Sequence, residues 1–170
     1  VMEINLDALS HNLKEYQKIL QPTTRLMAMV KAFSYGSGSY EIANLLQFHK
    51  VDYLAVAYAD EGVELRKGGI TLPIMVMNPE EGTYDALLQF DLEPDIYSLE
   101  QLQHFEAFLQ QQNIQQFPVH IELETGMNRL GFSLNDLDEL KAALAKSSFK
   151  VQSVFSHLAA SEDPDQDAFT

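Results

Sequence analysis

Short apolar runs recur along this chain, each followed by a longer stretch whose apolar positions fall three and four apart. The runs are RLMAMV (25–30), YLAVA (53–57), PIMVM (73–77), EPDIY (93–97), VHIEL (119–123) and VQSVFS (151–156). Runs of this length bounded by turn residues read as strands. The intervening SYEIANLLQFH, ADEGVELRKGG, GTYDALLQF, SLEQLQHFEAFLQQQ and SLNDLDELKAALAKS read as helices. EPDIY is the weakest strand of the six, because it holds Pro94 and two acids. Regular strand–helix alternation requires parallel strands joined by crossover helices, which is the α/β class. The strands are apolar throughout rather than on alternate positions, as expected of a sheet covered on both faces.

The ends refine this frame. Met2 to Leu6 alternates like a short strand, and Asp7 is placed to cap a helix carrying Leu9, Leu13, Tyr16 and Leu20 on one face. Ser98 with Gln101 three residues on has the form of a capping box, and Ser133 with Asp136 that of a weaker one. At the other end Asp163 and Pro164 open a helix that the chain does not continue, so the sequence is expected to be cut from a longer protein. Six strands are too few for a closed eight-stranded barrel and would suffice for an open sheet.

Composition narrows the function classes. The 170 residues carry 25 acids against 11 Lys and Arg, a net charge of −14, so a nucleic-acid partner is not expected. The chain has no cysteine, which removes disulfides, thiolate metal sites and thiol catalysis and is compatible with the cytoplasm. No apolar run is long enough for a membrane span, and the opening residues lack the pattern of a secretory signal.

Three places carry candidate chemistry. In VKAFSYGSG (30–38) a lysine ends an apolar strand and is followed by Tyr35 and two glycines. Ligands of parallel α/β folds bind beyond the carboxyl ends of the strands, where a partly desolvated Lys31 would favour the neutral amine that forms imines. Tyr35 and the Gly36–Ser37–Gly38 turn could offer a hydroxyl and N–H groups to a phosphate. A plain strand-end lysine over a tight turn is the competing reading, and a nucleotide P-loop is disfavoured because its lysine follows the glycines. In HIELETGMNRLGF (120–132), His120, Glu122 and Glu124 share one strand face, which lines a site, binds a metal, or faces solvent at an edge. In VFSHLAAS, His157 follows a strand and by itself decides nothing.

Together these segments resemble one family. MVKAFSYGSG resembles the pyridoxal-phosphate signature V-K-A-x-x-Y-G-x-G of alanine racemases, ETGMNRLGF resembles their D-T-G-M-x-R-L-G segment, and FSHLAASED their F-T-H-x-A-x-A-D segment. EINLDALSHNL and YLAVAYADEGVELRKGG also resemble family sequence, in the expected order. The resemblance implies a truncated (β/α)8 TIM-type barrel with about six parallel strands, spanning 1–170 as an incomplete N-terminal domain without the family's β-domain.

The resemblance also implies roles. Lys31 would carry pyridoxal 5'-phosphate and act as one of two acid/base groups. Tyr35 would bond the cofactor phosphate, Arg129 would lie near the cofactor oxygen and the substrate carboxylate, and His157 would lie against the ring. No metal is implied. Glu122 occupies the place of a lysine that is carbamylated in many racemases, where its anionic oxygens hold the arginine seven residues on. A carboxylate is already present here, so Glu122 is expected to face Arg129 directly or through one water. Ser37 and Glu124 stand where histidine and aspartate are common. The implied parent is a cytoplasmic homodimer that interconverts L- and D-alanine for peptidoglycan. Racemization of serine and noncatalytic cofactor binding are the alternatives. The second base, a tyrosine of the β-domain donated by the other subunit, is not in this chain, so these 170 residues alone are expected to be inactive.

Overall fold

The computed structural model describes residues 3–167. Met2, the start of the expected first strand, lies outside the described residues. Residues 3–5 form no strand, and Leu6 already belongs to helix α1 (Leu6–Ile19). Its cap is Asn5, whose side chain accepts from the Ala8 N–H at 3.0 Å, so Asp7 falls in the first turn instead. An acid there still complements the positive end of the helix.

The chain forms two compact units, residues 1–92 and 93–170. In the first, β1 (Met27–Met29) is followed by a helical turn α2 (Lys31–Gly36) and helix α3 (Ser39–Phe48). Strand β2 (Tyr53–Val56), helix α4 (Ala59–Lys67), strand β3 (Ile74–Val76) and helix α5 (Tyr84–Gln89) complete it. β1 pairs parallel to β2 and β2 parallel to β3, with Met27 opposite Tyr53 and Leu54 opposite Ile74. Leu54, Ala55, Val56, Ile74, Met75 and Val76 are all buried, as continuous apolar strands require when both sheet faces are covered.

The second unit holds most of β4 (Leu92–Ile96), then α6 (Leu99–Gln111), β5 (Phe117–Leu123), α7 (Leu137–Leu144) and β6 (Phe149–Ser156). β4 pairs parallel to β5 and β5 parallel to β6, the latter with a register shift after Val119 that sets His120 opposite Ser153. Phe105 of α6 packs edge-on against Phe117 at 5.5 Å and stacks on Phe149 at 5.8 Å, joining the helix to both strand starts. EPDIY, the least strand-like run, is a strand buried along its whole length. Of its two acids, Glu93 meets the His120 ring at 3.0 Å, and Asp95 is buried beside Glu122.

Two helix starts use the same device. Ser98 accepts from the Gln101 N–H at 3.2 Å, while the Gln101 side chain accepts from Tyr97 N and donates to Asp95 O, both at 2.9 Å. The third residue of α6 thus reaches past its cap to the strand before it. The Asp136 carboxylate accepts from both the N–H and the hydroxyl of Ser133 at 2.8 Å, and these two donors hold it below its usual range.

The carboxyl end of α4 is fastened by Arg66. Its guanidinium donates to the carbonyls of Phe90 (2.9 Å), Ile70 (2.9 Å), Leu72 (2.6 Å) and Asp91 (3.0 Å). One fork therefore closes both the α4–β3 and the α5–β4 connections. Arg66→Ala leaves four carbonyls without this donor and is expected to cost about 3 kcal/mol in urea unfolding. Arg66→Lys should recover only a minor part, since an ammonium cannot span four acceptors held by a planar fork. A lysine variant as stable as the natural protein would contradict this account.

Candidate active site

β1 delivers Lys31 to its carboxyl end. The Val30 N–H still donates to Ala55 O at 2.9 Å, one step past the strand proper, and Lys31 then leaves the sheet half-buried. Four residues of a conformation not expected from the sequence precede the glycine turn at 36–38. Ala32, Phe33, Ser34 and Tyr35 all adopt left-handed helical backbone, with φ of 51°, 56°, 49° and 56°. Each such residue costs roughly 1–2 kcal/mol for an L-amino acid. The turn closes through Ser34 N to Val30 O at 3.1 Å and Gly38 N to Phe33 O at 3.0 Å. Only then do Gly36 (φ 90°) and Gly38 (φ 96°) return the chain to α3.

Side-chain burial does not hold this turn, since Phe33 and Tyr35 are 63% and 69% exposed. Its polar anchor is Glu61 of α4. One carboxylate oxygen accepts from Ala32 N at 2.7 Å, and the other accepts from Ala57 N at 2.7 Å and Tyr58 N at 3.3 Å. Among the described residues the Lys31 amine and the Tyr35 hydroxyl have no hydrogen-bond or ion-pair partner, and the buried Ser34 hydroxyl has none either. An uncommitted amine and a phenol four residues apart in one turn, on a backbone fixed independently of them, form a donor set that fits an aldehyde cofactor bearing a phosphate.

In the second unit the loop after β5 folds back on its own strand. Phe132 N donates to Glu122 O and Glu124 N to Phe132 O, both at 2.9 Å. Gly131 permits this closure. At φ 114° a Cβ would lie 2.6 Å from the Glu124 nitrogen. Glu124 turns into the loop and accepts from Gly126 N and, at 3.2 Å, from Arg129 N. The Arg129 guanidinium thereby returns to the strand end, with Nη2 3.7 Å from Glu122 Oε1. The pair expected from sequence meets directly, with the carboxylate buried and the arginine 43% exposed.

Behind Glu122 lies a buried polar cluster. His120 sits between Ser153 Oγ, 2.7 Å from Nδ1, and Glu93 Oε2, 3.0 Å from Nε2. Asp95 is fully buried, and its carboxyl faces that of Glu122. Burial, then the charge of Glu122 and a hydrogen bond shared with it, push the Asp95 carboxyl from 3.8 to about 9, with Arg129 pulling the other way. A proton on Asp95 supplies the donor that two facing carboxylates would lack. The solvent-facing reading of this strand is therefore excluded, because His120 and Glu122 are almost wholly buried. The metal reading has no support, because Glu124 is committed to its own loop and the described residues contain no group of three suitable ligands.

His157 comes directly after β6. Its Nδ1 accepts from Ala159 N at 2.8 Å, which places the proton of the neutral ring on Nε2. Lys31, Arg129 and His157 thus each lie just past the carboxyl end of a different strand. The sequence reading missed Glu61, Glu93 and Asp95. The signal for the acids was present: Glu93 and Asp95 are spaced two apart, like His120 and Glu122 on the next strand, so all four fall on one face.

Parallel strands alternating with helices, with Lys31, Arg129 and His157 past strand carboxyl ends, define an α/β fold of the βα-barrel class. The chain belongs to the alanine racemase family, residues 4–170 matching the alanine racemase N-terminal domain. It is 37% identical over 169 residues to the alanine racemase of Synechocystis sp., covering 96% of this chain and 44% of that one. Among solved structures it resembles the alanine racemase of Clostridium difficile 630 in complex with cycloserine, with a TM-score of 0.90 and 31% identity over 97% of this chain and 46% of the other. It also resembles the alanine racemase of Bartonella henselae with covalently bound pyridoxal phosphate, with a TM-score of 0.87 and 25% identity, covering 97% and 48%. The chain therefore spans under half the length of these relatives. Among the described residues no helix is long and apolar enough to cross a membrane.

The Asp95 environment gives a pH signature. Its folded value lies above its unfolded one, so the folded state binds the proton more tightly. That contribution is complete below the unfolded value of 3.8 and drains away as pH rises toward about 9. The urea midpoint is expected to fall across this window, and Asp95→Asn, which keeps a donor without the charge, should flatten the decline. A natural protein whose midpoint stays level over the window would mean that Asp95 is ionised throughout.

Proposed function

We propose that this chain is the cofactor-bearing part of a pyridoxal-5'-phosphate-dependent racemase that interconverts L- and D-alanine. The observation that carries the reading is the uncommitted Lys31 amine at the end of β1, on a left-handed turn fixed by Glu61, within a family match covering nearly the whole chain. The cofactor, when bound, supplies an aldehyde that condenses with an amine and a conjugated ring that disperses charge from the substrate α-carbon.

The protein supplies placement and protons. Lys31 would hold the cofactor and would take the substrate α-proton from one face. Tyr35 would offer its hydroxyl to the phosphate. Arg129 would meet the substrate carboxylate and the cofactor oxygen, with Glu122 facing the guanidinium from behind. His157, whose Nδ1 is taken by Ala159 N, would lie against the ring. The opposite face needs a second base, which the family resemblance assigns to a tyrosine of a β-domain from the other subunit of a homodimer. The setting is cytoplasmic supply of D-alanine for peptidoglycan.

Two measurements test this. The purified natural full-length protein given pyridoxal phosphate is expected to develop a visible absorption band that Lys31→Ala abolishes; a band retained in that variant would place the chemistry on another lysine. Glu122→Gln should lower turnover roughly tenfold, the scale of one weakened charge-assisted contact of about 1.4 kcal/mol, while the band persists. Unchanged turnover in Glu122→Gln would reduce the Glu122–Arg129 pair to packing.

A further inference from the structure

We infer that Glu61 is a positioning residue for Lys31: its carboxylate pins the first residue of the left-handed turn to the end of β2, and so fixes where the lysine amine and the Tyr35 hydroxyl stand. The inference rests on the reading of Lys31 as the cofactor lysine and adds a residue to it that touches neither cofactor nor substrate.

Four successive non-glycine residues in left-handed conformation relax unless something outside the turn holds them. The backbone bonds that close the turn at its ends involve the N–H groups of Ser34, Ser37 and Gly38. None of them uses Ala32 N, the first N–H after Lys31, and that N–H is satisfied by Glu61 Oε1 at 2.7 Å. The same carboxylate holds Ala57 N and Tyr58 N through Oε2, so it cannot turn toward Ala32 independently of β2 and α4. It also sits in the first turn of α4, where the helix favours a negative charge. Lys31 leaves the sheet between two fixed points, the Val30–Ala55 backbone bond before it and the Ala32–Glu61 bond after it.

A purely local role exists for comparison. Glu61 could simply cap α4, with its Ala32 contact incidental. Asp60 separates the two cases, because its Oδ1 accepts from Glu61 N at 3.0 Å in the same first turn and, among the described residues, it makes no hydrogen bond or ion pair with residues 31–38. Asp60→Ala therefore perturbs the start of α4 and leaves the Lys31 turn in place.

The experiment uses the natural full-length protein and its Glu61→Ala, Glu61→Gln and Asp60→Ala variants. Amide hydrogen exchange of the segment 31–38 is measured without cofactor, and borohydride trapping of added pyridoxal phosphate is mapped to individual lysines by peptide mass. Glu61→Ala is expected to speed exchange of the segment at least tenfold and to cut trapping at Lys31 by at least tenfold. Glu61→Gln, which keeps one acceptor oxygen, should fall between it and the natural protein. Asp60→Ala should match the natural protein in both readouts. Equal exchange and equal trapping in Glu61→Ala would overturn the inference, as would Asp60→Ala reproducing the Glu61→Ala losses. If Glu61→Ala does not fold, Glu61→Gln carries the test alone, and natural behaviour in it overturns the inference. Failure of the natural protein to trap cofactor at Lys31 would overturn the cofactor reading itself, and is distinguished by occurring before any substitution.

Discussion

A parallel strand covered on both faces leaves no water beside its side chains, so any polar group placed there must find its partner within the protein. Strands β4 and β5 live under this constraint. Glu93, Asp95, His120 and Glu122 occupy one face of β4 and β5. His120 takes up Glu93 and Ser153, burial beside Glu122 favours the protonated form of Asp95, and the charge of Glu122 faces Arg129. The order matters: Arg129 is the only one of these groups with substantial exposure, so the chain of contacts ends at the strand end where a ligand can reach it. A buried polar network becomes a mounting for one accessible cation.

The first unit solves a different problem by similar means. Its strands are wholly apolar, and its polar contacts gather in the segments just after them. Glu61 and Gln101 are each the third residue of a helix, and each reaches back past its cap to the preceding strand end. In α6 this only ties helix to strand. In α4 the carboxylate has a second oxygen to give, and that oxygen takes the N–H behind Lys31. A glutamine offers one acceptor where a glutamate offers two, which is the chemical difference between a structural tie and a tie that also fixes the reactive segment.

The lysine turn, the arginine loop and the histidine are thus held from behind by groups that do no chemistry. The Lys31 and Tyr35 side chains make no hydrogen bonds or ion pairs among the described residues, while strain and hydrogen bonding are carried by the backbone on either side. In the arginine loop Gly131 permits the close approach, Glu124 organises the turn, and Glu122 receives the guanidinium. Separation of support from reactivity is what a site needs if its functional groups must exchange partners without moving.

By itself the sequence determined the α/β class, the six strands and the positions of Lys31, Arg129 and His157 after them, because the period of apolar residues and the punctuation of turns are local properties of the chain. The Glu122–Arg129 pairing was implied by the family resemblance rather than by spacing, and the fold brings the two groups to 3.7 Å. The left-handed winding of Ala32–Tyr35 was not legible, because none of those residues prefers that conformation and the bond that selects it comes from Glu61, 29 positions away. Nor were the burial of EPDIY and the protonation of Asp95, which depend on which face of a neighbouring strand it meets. Tertiary structure decided these points because their energy lies in contacts between elements, and local propensity carries no information about the partner.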